Sequence, residues 1–349
     1  MNGIKRIVCC WCFVVTILAG SGAVAEEADR PAGGAQEGSG ISVSRDQRRA
    51  IRDAVTEIRS TSASRYGLKM DSGWQDKPVK NPVIVVIHGF NSTRAGVEFL
   101  AAPLRKAGFA CGMIAYPNDQ ALADSAELVS SELKKFAKDN PEQQIALVTH
   151  SMGGLVARAC IENRELDPGS VIQLIMVAPP NHGSELAHVG FATDTVELLT
   201  EMDWQKPLEG LLNRVDDGMG EAVEDLTPGS AFLMQLATYK RNAKVRYTII
   251  LGTKAPLTAE QVNQTRQALA DYRDRLRFLK LFDSQLELLL RDPDELINGL
   301  GDGVVAVKRG RLDGVKDTVL LKFHHIDTDP SSTGVKQINQ VVLDRLTSA

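Results

Sequence analysis

Apolar runs alternate with amphipathic stretches through most of the chain. Residues 82–87 (PVIVVI) and 171–177 (VIQLIMV) are too uniformly apolar for strands with one face in water, so they predict parallel strands that are buried on both faces. Further strands are predicted at residues 112–116, 144–149, 245–252 and 319–323, and helices at residues 95–107, 121–138 and 337–346. This alternation favours an α/β fold with a doubly wound, mostly parallel sheet.

Two helical insertions interrupt the alternation. The first, at about residues 185–242, directly follows the strand at 171–177, so it is positioned to cover the carboxyl edge of the sheet as a lid. The second, at about residues 255–298, carries an apolar stripe at helical spacing. Such a stripe favours core or lid packing, and a lipid-facing surface is the alternative.

The N-terminal residues have the pattern of a targeting segment. Lys5 and Arg6 precede an apolar run at residues 7–19, and AVA at 23–25 supplies a cleavage site of small residues. Residues 1–25 are therefore predicted to be a Sec-type signal peptide of a secreted or periplasmic protein, with a retained membrane anchor as the alternative. Residues 26–44 predict a flexible linker, and residues 45–349, beginning with a helix at about 45–60, predict one α/β domain with the two helical insertions.

Composition narrows the choice of partner. The net charge is −4, and the sequence has no stripe of basic residues with interleaved aromatic residues. We therefore expect no nucleic-acid-binding surface. Beyond the signal peptide only Cys111 and Cys160 remain, which predicts either one disulfide or two separate buried thiols. No two histidines have the spacing of metal ligands on one helix, so no metal site is expected. The oligomeric state is not fixed by the sequence.

The clearest chemical signal is THSMGG at residues 149–154, between a buried strand and a helical pattern. Strand, sharp turn, serine and helix form a nucleophile elbow, which exposes the hydroxyl of Ser151 above the sheet. Gly153 allows the helix to approach the sheet closely. Thr149 stands where the usual Gly-x-Ser-x-Gly pattern has its first glycine and is expected to crowd the helix start. The alternative is a serine that merely caps a helix.

A serine nucleophile needs a base within hydrogen-bond reach. Of six histidines, only His324 and His325 follow a strand that comes after a suitable acid. Adjacent side chains at the end of a strand point to opposite faces, so only one of the two can face the serine. We prefer His325, because the two residues after it begin a loop, and His324 is the alternative.

The acid that orients the base is predicted to be Asp302, which lies between two glycines and before the apolar run VVAV at residues 304–307. A solvated turn acid is the competing interpretation, and Asp313 and Asp327 are weaker candidates. The order Ser151, Asp302, His325 matches nucleophile, acid and base for this type of sheet.

A negatively charged reaction intermediate needs hydrogen-bond donors that are fixed in advance. One expected donor of this oxyanion hole is the backbone N–H of Met152, the residue after the nucleophile. The other is the backbone N–H of Phe90, in the turn after the first buried strand.

Four segments together resemble the α/β-hydrolase superfamily, and a fifth resembles a segment in the lids of such proteins. The four are HGFNS at 88–92, THSMGGLVAR at 149–158, PNHGS at 180–184 and GDGVV at 301–305, and the fifth is DLTPGSAFL at 225–233. Within the superfamily they are most similar to bacterial lipase-like and inositol-deacylase-like (DUF676-type) serine esterases.

The resemblance implies hydrolysis of carboxylic esters through an acyl-serine intermediate and without a cofactor, and it leaves the acyl length and the alcohol open. The apolar character of the helices in both insertions favours a lipid-like acyl group. It is compatible with transient contact with a membrane surface. An acyltransferase or thioesterase would use the same triad, and a non-catalytic binding protein could keep the same fold.

Overall fold

The computed structural model describes residues 65–78, 81–186, 221–264 and 293–348. All of them belong to the unit Thr56–Ala349. Three predicted features lie outside the described residues: the signal peptide at 1–25, the linker at 26–44 and the helix at 45–60. The middle parts of both insertions, residues 187–220 and 265–292, also lie outside them.

The described strands form a seven-stranded sheet in the order β1-β3-β2-β4-β5-β6-β7. All neighbouring strands are parallel except β1, which is antiparallel to β3. The strands are β1 Gly67–Met70, β2 Val83–Ile87, β3 Cys111–Ala115, β4 Ile145–His150, β5 Val171–Val177, β6 Arg246–Gly252 and β7 Thr318–Leu321. The chain reverses its direction of travel across the sheet between β2 and β4, so the loops at their carboxyl ends diverge and leave room for a site.

Helices cover both faces of the sheet. Side chains of β2 alternate between two cores: Val83, Val85 and Ile87 belong to one, and Ile84 and Val86 to the other. Helices α2, α3, α4 and α5 pack on the first core, and α1 and α7 on the second. The described helices are α1 Glu98–Lys106, α2 Leu122–Asp139, α3 Met152–Glu162, α4 Glu221–Leu226, α5 Ala231–Thr238, α6 Val307–Gly310 and α7 Thr333–Thr347. This confirms the prediction of a doubly wound, mostly parallel sheet.

Element boundaries follow the apolar runs closely in the middle of the sheet and less well at its edges. Strand β5 has the predicted bounds, whereas β7 ends at Leu321, two residues earlier than expected. Strand β1 was not predicted. It is short and only half-buried, and side chains hold it in place: Arg94 donates to the carbonyl of Gly67, and Glu132 accepts from the N–H of Leu68.

The described end of the first insertion packs on the sheet. Leu226 of α4 and Leu233 and Leu236 of α5 are buried in the first core. The beginning and the end of the second insertion pair with each other, because the N–H of Leu257 donates to the carbonyl of Leu296 at 3.0 Å. The role of either insertion as a lid stays a prediction. Within the described ranges, no helix is long and apolar enough to cross a membrane.

The two cysteines lie on opposite faces of the sheet. Cys111 belongs to the second core and Cys160 to the first, and both are buried free thiols. Of the two predicted alternatives, the structure therefore has two separate thiols. Burial raises the pKa of each to about 12, so neither is a reactive thiolate at neutral pH.

Candidate active site

Ser151 stands in a strained turn between β4 and α3. Its φ of 53° and ψ of −129° are uncommon for a residue with a side chain, and such strain is maintained only where the surroundings impose it. The N–H of Ser151 donates to the carbonyl of Val177 at 2.8 Å, which ties the turn to the end of β5. A Cβ on Gly153 would lie 2.5 Å from the carbonyl oxygen of His88, so only glycine permits this close approach of α3.

Thr149 fits in the elbow because a glycine faces it. The side chain of Thr149 is fully buried, and its Oγ1 has no hydrogen-bond partner among the described residues. A Cβ on Gly154 would lie 3.3 Å from that oxygen and 3.1 Å from Cβ of Pro179. The expected crowding of the helix start is therefore relieved by the missing side chain at position 154.

Ser151, His325 and Asp302 form one hydrogen-bonded chain. The distance from Ser151 Oγ to His325 Nε2 is 2.8 Å, and that from His325 Nδ1 to Asp302 Oδ2 is 2.9 Å. All three side chains are at least 95% buried. Since a carboxylate only accepts, Nδ1 carries the imidazole hydrogen and Nε2 is left to accept from the serine hydroxyl. This is the arrangement a general base needs.

Asp302 is held by its own turn, residues 301–305, which we call the acid turn. Its Oδ1 accepts from the backbone N–H groups of Val304 at 3.0 Å and Val305 at 2.7 Å. The carbonyl of Asp302 accepts from the N–H of His325 at 2.9 Å. The acid turn thus fixes both the carboxylate and the backbone of the histidine that it orients.

His324 faces a different part of the site. Its Nδ1 lies near Gly303, where a Cβ would be 4.0 Å away, and burial lowers its pKa. The structure therefore brings His325, and not His324, to Ser151. The hydrogen bond of His325 Nδ1 goes to Asp302, and not to Asp313 or Asp327, the weaker acid candidates.

His150, the residue before Ser151, contacts both the backbone and the ring of His325. Its Nε2–H donates to the carbonyl of His325 at 3.1 Å, and the two ring centroids are 5.1 Å apart. Its ring also makes an edge contact with Phe99. Burial lowers the pKa of His150 to about 3, so the ring is neutral at physiological pH and acts as a fixed donor.

The loop after β2 lies against Ser151, where an oxyanion hole is expected. A Cβ on Gly89 would be 2.9 Å from Cβ of Ser151, so the backbone that leads to Phe90 passes directly beside the serine. Met152 is the first residue of α3, and its N–H therefore has no acceptor within the helix. These two backbone groups are the predicted oxyanion donors.

Two side chains after β3 hold this loop, and sequence reasoning missed both. The amide of Asn118 donates to the carbonyls of Ser92 at 2.6 Å and Gly89 at 3.2 Å. The hydroxyl of Tyr116 donates to the carbonyl of His88 at 2.6 Å, and the two rings stack. Their position directly after a buried strand was the available signal, because β3 ends at the same edge of the sheet as β2.

Among the residues that the structure describes, no group of three or more His, Cys, Asp or Glu side chains could hold a metal ion. The arrangement of the site is that of nucleophile, base and acid, which is suited to acyl transfer.

Solved structures show the same fold at low sequence identity. The mature form of the Bacillus licheniformis lipase BlEst2 has a TM-score of 0.53 at 17% identity, covering 80% of this chain and 97% of that chain. The propeptide form of the same lipase has a TM-score of 0.54 at 19% identity, covering 80% of this chain and 53% of that chain. At this identity the likeness establishes the α/β-hydrolase fold and nothing finer.

No curated protein matches the chain. One family model does, described as a domain of unknown function, DUF7379, over residues 53–277. This range includes the elbow and the loop after β2 and ends before the acid turn. The chain, with an α/β-hydrolase fold, belongs to the DUF7379 family.

Proposed function

We propose that this protein is a serine hydrolase that cleaves carboxylic esters through an acyl-serine intermediate. The observation that carries the proposal is the continuous chain from Ser151 Oγ through His325 to Asp302, with distances of 2.8 and 2.9 Å. In this assignment Ser151 is the nucleophile, His325 the general base and then general acid, and Asp302 the acid that orients the imidazole. Within the superfamily, lipase-like and DUF676-type esterases are the functional relatives that the motifs favour.

The reaction follows from the direction of these hydrogen bonds. Ser151 Oγ attacks the ester carbonyl carbon as its proton moves to Nε2 of His325. The imidazolium then gives that proton to the departing alkoxide, which leaves as an alcohol. Water repeats the sequence on the acyl-serine, releasing the carboxylic acid and restoring the serine. The N–H groups of Phe90 and Met152 are the proposed donors to the intermediate's oxyanion.

We propose that the ester substrate carries an apolar, lipid-like acyl group. Leu300 and Ile326 are two of the few large apolar side chains that are exposed in the described residues, at 46% and 40%. Leu300 lies two residues before Asp302, and Ile326 directly follows His325. Exposed apolar side chains this close in sequence to Asp302 and His325 favour a substrate, or a transient lipid surface, of the same character.

Covalent labelling tests the assignment of the nucleophile. We expect a fluorophosphonate probe to label the protein without its signal peptide, and Ser151→Ala to abolish the labelling. Ser130→Ala is the matched control, because Ser130 is also buried but donates to the carbonyl of Leu166, in another part of the fold. Equal labelling of Ser151→Ala and wild type would refute the assignment.

The neighbouring histidines provide a test of the base. We expect His325→Ala to lose labelling and ester hydrolysis, and His324→Ala to retain both. Rates with p-nitrophenyl esters of increasing acyl length then test the substrate class. A maximum at acetate would contradict the proposed lipid-like substrate.

A further inference from the structure

Glu295 has a buried carboxyl group and connects the beginning of the first insertion, residues 184–186, to the acid turn. It is only 1% exposed. Its Oε1 accepts from the N–H of Glu185 at 2.9 Å and its Oε2 from that of Leu186 at 3.1 Å, while Ser184 Oγ lies 3.3 Å from Oε2. Its backbone carbonyl accepts from the N–H of Gly303, in the acid turn, at 2.8 Å. No step of the proposed reaction uses this carboxyl group.

The number of hydrogens on Ser184 determines the direction of these contacts. Its hydroxyl has one hydrogen, and its shorter contact, 2.7 Å, is with the carbonyl oxygen of Val304, which can only accept. The 3.3 Å contact between Ser184 and Glu295 is therefore a hydrogen bond only if the carboxyl group donates. Leu186 N remains satisfied in that case, since it also lies 3.2 Å from Ser184 Oγ.

The charges around Glu295 favour the same state. Arg309 Nη2 binds Glu185 at 2.6 Å, whereas its Nε is 3.8 Å from Glu295, so one guanidinium faces two carboxyl groups and pairs more closely with the other one. Burial raises the pKa of Glu295 to about 8, against the lowering effect of its hydrogen bonds and of Arg309. Among the residues that the structure describes, Asp294, Lys308 and Asp302 are further charged groups near this loop.

We propose that Glu295 is a positioning residue for Asp302 and that it acts in its protonated form. Its Oε2–H donates to Ser184 Oγ, and the Ser184 hydroxyl donates to the carbonyl of Val304. Because the N–H of Val304 binds the carboxylate of Asp302, this chain sets the geometry of the acid turn. The inference rests on the proposed function, in which Asp302 orients the base. Loss of the proton removes the first donor and loosens the turn.

Three variants test whether the carboxyl group of Glu295 acts as a hydrogen-bond donor and not through a negative charge. Glu295→Gln keeps one donor and one acceptor, Glu295→Ala removes both, and Ser184→Ala interrupts the chain. We expect Glu295→Ala and Ser184→Ala to lose about 10- to 100-fold in kcat with little change in KM, the effect of a displaced catalytic group. Glu295→Gln should recover most of this loss. Ser130→Ala, which removes a comparable buried hydroxyl outside the site, should keep the wild-type kcat.

The pH profile is the readout that a merely structural role would not move. Wild-type kcat should fall as the pH rises through about 8, and Glu295→Gln should not show this fall. The proposal is overturned if Glu295→Gln loses as much kcat as Glu295→Ala, or if both pH profiles have the same alkaline limb.

Thermal unfolding tests the protonation state of Glu295 without a measurement of activity. A carboxyl group whose pKa is raised from 4.5 to about 8 on folding contributes stability that is present below pH 4.5 and is lost as the pH rises toward 8. The thermal midpoint of wild type should therefore fall relative to that of Glu295→Gln between pH 5 and pH 8. A constant difference would refute the protonated state. Should fluorophosphonate fail to label Ser151, the proposed function fails, and these midpoints still decide the state of Glu295.

Discussion

Replacing Asp302 by asparagine tests the site most directly, because the two carboxylate oxygens have different partners. Oδ1 accepts from two backbone N–H groups, those of Val304 and Val305, and Oδ2 accepts from His325 Nδ1. In Asp302→Asn, the single oxygen of the amide is expected to face the two backbone donors. The amide nitrogen then faces His325.

This orientation changes the tautomer of His325. An amide N–H opposite Nδ1 requires an unprotonated Nδ1, so the imidazole hydrogen moves to Nε2, which can no longer accept from Ser151. The opposite amide orientation leaves two buried N–H groups unpaired, at a cost of about 2–6 kcal/mol in total. The productive form is then reduced about 30- to 3 × 10⁴-fold, a range that includes the loss known for the corresponding change in a serine protease, about 10⁴-fold.

The assay is kcat/KM for a p-nitrophenyl ester, with circular dichroism and a thermal midpoint to show that the variant is folded. Asp317→Asn is the control, because this carboxylate binds Arg345 and Thr248 at the start of β7, away from the site. It should lower stability and leave kcat unchanged. If folded Asp302→Asn keeps more than about one tenth of the wild-type rate, Asp302 does not orient the base.

Three further predictions concern the elbow, the loop after β2 and the thiols. Gly153→Ala should destabilise the fold by about 1–3 kcal/mol, because its Cβ would lie 2.5 Å from a backbone oxygen, and an unchanged urea midpoint would contradict this. Asn118→Asp should lower kcat about 10- to 100-fold with little change in KM, since a carboxylate cannot donate to the two carbonyls that the amide holds. Asn140→Ala, which removes an amide contact at a helix end, is its control and should keep kcat. Cys111 and Cys160 should react with a thiol reagent only after unfolding, and rapid reaction of the native protein would show that they are not buried.

The sequence predicted the middle of the sheet well, for a simple physical reason. Strands that are buried on both faces must be apolar at every position, and β2 and β5 are such runs. The half-buried edge strand β1 has no such run, and its pairing depends on Arg94 and Glu132, which are distant in sequence. Edge strands of this kind are set by tertiary contacts and not by local pattern.

The choice between His324 and His325 shows where local reasoning stops. The prediction relied on side chains that alternate at the end of a strand, but β7 ends at Leu321 and both histidines lie in the loop beyond it. The orientation follows from a long-range backbone hydrogen bond, from His325 N to Asp302 O. A single sequence contains no record of that contact.

Supporting side chains were harder to identify than the candidate triad. Asn118 and Glu295 have no motif of their own, and each acts on a loop that is far away in sequence. Their partners could be named only from the fold. Strand β3 lies next to β2, and the end of the second insertion meets the beginning of the first beside the acid turn.

The candidate site therefore has two parts with different structural origins. The nucleophile and its turn are encoded locally, in a strand-to-helix segment that lies within the family match at residues 53–277. The acid and the base lie beyond this match, and backbone contacts attach their segment to the sheet: Gly299 N donates to Thr253 O at 2.7 Å and Thr253 N to Leu321 O at 3.0 Å. Because a serine without a base is a weak nucleophile, a relative could match the family over its full range and still be inactive if this attachment were lost. Under the proposed function, the family match therefore covers only the nucleophile and its turn, and the acid turn and the histidine after β7 decide whether a relative can hydrolyse an ester.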